Sequence, residues 1–151
     1  MSAIDKSGWG DGPWQVEPDR LEWRHAGIPC LMVRHSWSGH WCGYVGVSPE
    51  HPWHGKSYSD EAVNVNVHGG LTYSDECHGK VCHDAQPGEP EHVWWFGFDC
   101  AHCLDLSPGV SSLGYARNPE EQYRDATYVE SETNRLAEQV QRIQTRLEVE
   151  A

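Results

Sequence analysis

The chain has 151 residues, 38% of them hydrophobic, with 8 Trp, 6 Tyr and a formal net charge of -12. That length suits one domain with a single core, to which each aromatic side chain adds a large buried area. The charge argues against wrapping duplex nucleic acid, which needs Lys and Arg to displace counterions, but leaves room for a small anionic ligand held by one or two local cations.

The opening "MSAIDKSGWGDGPW" lacks the apolar core of a signal peptide, and no stretch approaches membrane-spanning length. The expectation is a cytoplasmic protein without membrane contact, with residues 1–14 forming a flexible N-terminus. In that compartment the 6 cysteines stay reduced and serve as metal ligands, reactive thiols or small core hydrophobes. Residues 15–117 read as a β-rich domain, with strands over 20–25, 29–35, 40–47, 63–68, 71–74 and 92–99. "AGIP" supplies a hairpin turn, whereas "VSPEHPWHGKSYSDE" and "DAQPGEPE" are loops, because proline lacks a ladder donor and glycine relieves strain.

Residues 118–151 read as a C-terminal helix. Asn118 can N-cap it, with Pro119 in the first turn and Glu121 completing a capping box; Asp125 is the rival cap for a later start. Val129, Thr133, Leu136, Val140, Ile143 and Leu147 then step by fours and threes, a narrow seam of the coiled-coil kind. This predicts self-association as a homodimer or other homo-oligomer, the alternative being a helix laid along its own domain. The fold class is therefore α+β, an antiparallel sheet with a long C-terminal α-helix.

Alternation splits each strand between two faces. Val45, Val47, Trp94, Phe96, Phe98 and the valines at 63, 65 and 67 suit the core. The opposite side would carry His40, Cys42, Tyr44, Asn64, Asn66, His68, Trp95 and Asp99, an aromatic and polar face fit for a ligand. Such a face can equally well meet only water.

Three chemistries compete in "WWFGFDCAHCLDL". Cys77 and Cys82 with Cys100 and Cys103 form C-x4-C and C-x2-C pairs, spaced like the two knuckles of a tetrahedral zinc site, with His78, His83 and His102 as spare ligands and Asp105 able to orient one of them. A thioredoxin-like use of "CAHC" lacks the surrounding βαβ pattern. Alternatively Asp99, His102 and Asp105 act together, holding a divalent metal or making His102 a base, with Cys100 as a nucleophile if His68 or His102 lowers its pKa. The alternative for Cys100, a lone cysteine at a strand end, is a small packed hydrophobe. Arg124, in "YRD" near the helix start, could clamp a phosphate or pair with Glu120 or Glu121.

The stretches "GPWQVEPDRLEW", "GIPCLMVRH", "CGYVGV", "HPWHG", "NVHGGLTYS", "WWFGFDCAH" and "YRDATYVESETNRLAEQ" resemble a family of small uncharacterised proteins encoded by phages and prophages. The resemblance runs from Gly12 to about Val140 and takes in Cys42, His68, Asp99, Cys100, His102 and Asp105, but not Cys77, Cys82 or Cys103. It implies interference with host defence as a class of role, and it favours the His/Asp group over a four-cysteine zinc site. Three functions follow as expectations. The first is a binding module that sequesters a nucleotide-derived host-defence signal, with Trp95 or Tyr44 stacking the base, Asn64, Asn66 and Asp99 reading polar edges, Cys42 nearby, and Arg124 or His68 holding phosphate. The second is a metal- or Cys/His-dependent hydrolase centred on His68, Asp99, Cys100, His102 and Asp105, with zinc or another divalent ion as cofactor. The third is an acidic inhibitor that blocks a host protein directly.

Overall fold

The computed structural model describes residues 4–113 and 119–150, the last six of these as helix backbone only. Five strands form one antiparallel sheet: β1 (Arg20–His25), β2 (Ile28–Arg34), β3 (Trp41–Val47), β4 (Tyr73–Glu76) and β5 (Trp94–Asp99), in the spatial order β1-β2-β3-β5-β4. A short helix α1 (Pro108–Ser111) and the long helix α2 (Ala126–Glu150) follow, which makes the fold α+β as the sequence predicts. Ala26 and Gly27 close the first hairpin with φ of 53° and 76°, the left-handed pair that a two-residue turn requires.

Helix α2 lies on one face of the sheet, where Val129, Thr133, Leu136 and Val140 are fully buried in a core with Met32, Val45, Phe96 and Phe98. The seam read as a dimerisation surface is thus used within the domain, and Ile143 packs partly against the same core. Gly43 explains the close approach: a Cβ there would overlap the Thr133 hydroxyl and the Phe98 ring. The helix also starts later than the capping box implies. Asn118 lies outside the described residues, and Asp125 is the cap, its Oδ1 accepting the Tyr128 N–H at 2.8 Å.

A second cap comes from far away in sequence. Glu17 Oε2 accepts the Ala126 N–H at 2.7 Å, while its other oxygen accepts from Tyr123 Oη and, at 3.1 Å, from Arg34 Nη2. The Arg34 side chain is fully buried, with Nε on Asp19 at 2.8 Å and its guanidinium over the Trp41 ring. This network pins the N-terminal segment to β2 and to the start of α2. Trp9 and Trp14 are buried beside Leu106, so the stretch read as flexible is packed from Ile4 onward.

Residues 63–68 differ from the strand expected there. Val63 and Val67 do enter the core, as their alternation requires, but the backbone pairs with side chains of α2 instead of another strand. Gln139 bonds both the N–H and the carbonyl of Asn66, each at 2.8 Å, and Glu132 accepts the His68 N–H at 2.9 Å. Among the described residues no helix is long and apolar enough to cross a membrane.

Candidate functional site

The site forms at the end of the sheet where β3 begins and β5 stops. Cys42 lies directly opposite Asp99, and the ladder continues one step further through Cys100 N–H to the Trp41 carbonyl at 3.0 Å. The chain then turns tightly, with Asp105 N–H donating to the His102 carbonyl at 3.0 Å. Leu104 takes a left-handed φ of 70°, an unfavourable state for a branched side chain. It is held there because its carbonyl accepts Gln122 N–H at 2.8 Å, just ahead of α2.

Asp105 is the hub. Its buried carboxylate accepts from His68 Nε2 at 2.8 Å, Arg124 Nε at 2.8 Å and the His102 N–H at 3.1 Å. Burial alone would push this acid up, but the hydrogen bonds from His68, Arg124 and the His102 backbone more than offset it and hold the group below the ordinary aspartate range. Arg124 is in turn pushed up by its bond to Asp105, and its guanidinium lies 5.2 Å from the Tyr128 ring centre. A carboxylate only accepts, so His68 Nε2 carries a proton, and in the neutral ring Nδ1 accepts the Tyr128 hydroxyl at 2.8 Å.

Asp99 and His102 form the second half. His102 Nε2 is 3.2 Å from Asp99 Oδ1, an ion-pair distance whose angle is not that of a hydrogen bond, so the buried nitrogen has no hydrogen-bond partner. Asp99 is held on both oxygens, by Ala101 N–H at 3.1 Å and by the Thr72 hydroxyl at 3.0 Å. The rings of His68 and His102 lie 6.3 Å apart. Gly69, with φ of 67°, passes so close to His102 that a Cβ would overlap ring atoms Cδ2 and Nε2. His40 is buried behind this group, bonded through Nδ1 to Ser38 Oγ at 2.7 Å; burial first, then neighbouring His35, lowers it to about 4.

The structure therefore brings together His68, Asp99, Cys100, His102, Asp105 and Arg124, and places Cys42 next to Asp99. The thiols do not suit nucleophilic work. Burial, reinforced by Asp99, raises Cys42 to about 12, and burial with the Asp105 charge raises the fully buried Cys100 as well. Trp95 falls elsewhere: it shares a sheet face with Cys42 and Tyr44 but is completely buried against Leu31 and Val93, so no base can stack on it. Tyr44 packs edge-to-face on Tyr73 at 5.3 Å. Asn64 and Asn66 are exposed along α2, away from the sheet face on which they were expected.

The four-cysteine set does not fit zinc. Cys77 and Cys82 are joined in a disulfide, where reduced thiols were expected, Cys100 belongs to the core, and Cys103 is exposed. Nor do the acids suit a divalent ion, since both oxygens of Asp105 already face cations or donors. Among the described residues no three His, Cys, Asp or Glu side chains are grouped as metal ligands.

Sequence reasoning missed Tyr128, Thr72 and Gly69. Tyr128 had a signal, since it stands one helical turn beyond Arg124 and shares its side of the helix start. The other two depend on tertiary approach and had none. No family model matches the chain, and no curated protein or solved structure matches it either.

Proposed function

We propose that the protein is a binding module for a small phosphorylated ligand of the nucleotide class, taken up at the Asp105 end of the sheet. The observation that carries this reading is the buried Asp105 carboxylate, which fixes an imidazole and a guanidinium side by side before any ligand arrives. Groups ordered in advance do not lose that freedom again on binding. Arg124 uses Nε on Asp105 and Nη1 on Gln122, while Nη2 makes no hydrogen bond among the described residues and is left for a phosphate oxygen. Asp99 offers an acceptor for amino or imino hydrogens of a base. The half-exposed His102 ring takes the stacking role that Trp95 cannot. The phage-type resemblance adds the biological reading, capture of a nucleotide-derived host-defence signal. Isothermal titration of the full chain with cyclic and linear nucleotides tests this. The expected result is saturable heat from at least one nucleotide, strongly reduced in Arg124→Ala; no heat from any of them removes the proposal.

A hydrolase is the second reading, favoured by the 3.2 Å approach of Asp99 to His102, which could steer the imidazole as a general base. It predicts a new product by chromatography that His102→Ala abolishes, whereas the binding reading predicts recovery of the ligand unchanged.

A further inference from the structure

Segment 77–93, between β4 and β5, covers the sheet face opposite α2. Its first limb is a hairpin in which His78 and Val81 exchange backbone hydrogen bonds of 3.1 and 3.0 Å, closed outside by the Cys77–Cys82 disulfide. Arg20 on edge strand β1 reaches across to the carbonyls of Lys80 and Cys82, 2.6 Å each, and Val81 packs on Leu31, Val93 and Trp95. Ahead of the buried Val93 that leads into β5, the return limb is held lightly, by Glu89 at 3.7 Å from Arg24 and by the His92 carbonyl on His54 at 2.9 Å.

What lies beneath this segment is poorly satisfied. Trp95 Nε1, on a fully buried ring, and His83 Nε2 are both buried without a hydrogen-bond partner, and their rings meet edge to face at 5.3 Å. A cavity of about 330 Å³ opens beside His83, which lines it with Arg24, Pro29 and Glu89 among others. Unpaired buried polar atoms oppose the closed arrangement, because opening lets both reach water. Against that stand a few polar contacts, two packed valines, Val81 and Val93, and a covalent link that ties Cys82 back to the solvent-exposed Cys77 at the end of β4.

We propose that segment 77–93 is a redox-sensitive lid, latched shut over His83 and Trp95 by the Cys77–Cys82 disulfide and released by a small-molecule thiol or dithiol. The attacking thiolate bonds to one cysteine sulfur, and the other leaves as a thiolate that takes up a proton. A second thiol then resolves the mixed disulfide. The cysteine pair gains two electrons, and the two external thiols are oxidised to their own disulfide. The orphaned ring nitrogens favour the open state once the link is cut.

Hydrogen exchange of the tryptophan indole protons, followed by NMR on the full chain and assigned with Trp95→Phe, tests the lid. Trp41, fully buried beneath α2, is the internal reference. Dithiothreitol is expected to speed exchange at Trp95 at least tenfold while Trp41 is unchanged, and Cys77→Ser/Cys82→Ser to show the fast rate without reductant. The proposal fails if Trp95 exchange is unchanged once mass spectrometry shows both cysteines alkylated. It fails equally if Trp41 accelerates in parallel in the reduced wild-type chain, since the disulfide would then support the whole fold. Alkylation of Cys77 and Cys82 in protein that has met no reductant overturns it too.

Discussion

Gly69→Ala is the sharpest perturbation of the site, because Gly70 beside it provides a matched control. Both glycines adopt left-handed backbone, with φ of 67° and 78°, so either alanine introduces a conformation that costs about 1–2 kcal/mol. A Cβ on Gly70 meets open space, whereas one on Gly69 runs into the His102 ring. Relieving that overlap means moving His102 or the loop, a further cost of about 1–3 kcal/mol by analogy with overpacked cores. Gly69→Ala should therefore lose about 2–5 kcal/mol and Gly70→Ala about 1–2 kcal/mol in urea unfolding at neutral pH. In histidine NMR spectra, His102 should shift in the first variant alone. Equal destabilisation of the two variants with His102 unmoved would show that the glycine does not set the ring's position.

Arg34→Met removes the cation between Glu17 and Asp19 and should cost about 3–5 kcal/mol by chemical denaturation, as for breaking other buried charge networks; a loss under 1 kcal/mol would contradict this role. His40 and His51 are both lowered by burial, and His51 is locked between the Val140 carbonyl and the Trp53 N–H. The unfolded chain protonates them near pH 6.5, but the folded chain only at lower pH, so their contribution is complete above about 6.5 and declines on acidification. Urea midpoints should fall between pH 7 and pH 5, less steeply in His40→Gln, and a flat profile would refute the assignment. Under native conditions at pH 8, Cys103 should react readily with an aromatic disulfide reagent, and Cys100 only after unfolding. Similar rates at the two thiols would restore Cys100 as a candidate nucleophile.

Local pattern revealed much of this fold because strand alternation and turn chemistry act over a few residues. Ala26–Gly27, the split of Phe96 and Phe98 from Trp95, and Asp125 as a cap are all written in short stretches. Periodicity says which side chains are buried but not what buries them. Val63 and Val67 alternate as in a strand, yet their segment docks on helix side chains. Val129 to Val140 carry a seam that a coiled coil or a sheet could equally cover. Alternation assigns Trp95 to the face it occupies, opposite Phe96 and Phe98, but the segment covering it comes from a loop whose composition gives no destination. The same limit applies at the site. His102 and Asp105 are close in sequence and could be grouped in advance, whereas the links from Asp105 to His68 and from Glu17 to Ala126 cross 37 and 109 residues.

The most direct measurement is histidine ring NMR during nucleotide titration of the full chain. The account predicts saturable shifts at His68 and His102 with the Trp95 indole unmoved, and loss of those shifts in Arg124→Ala. Shifts confined to other residues, or none with any nucleotide, would mean that the Asp105 hub organises the fold and receives no ligand.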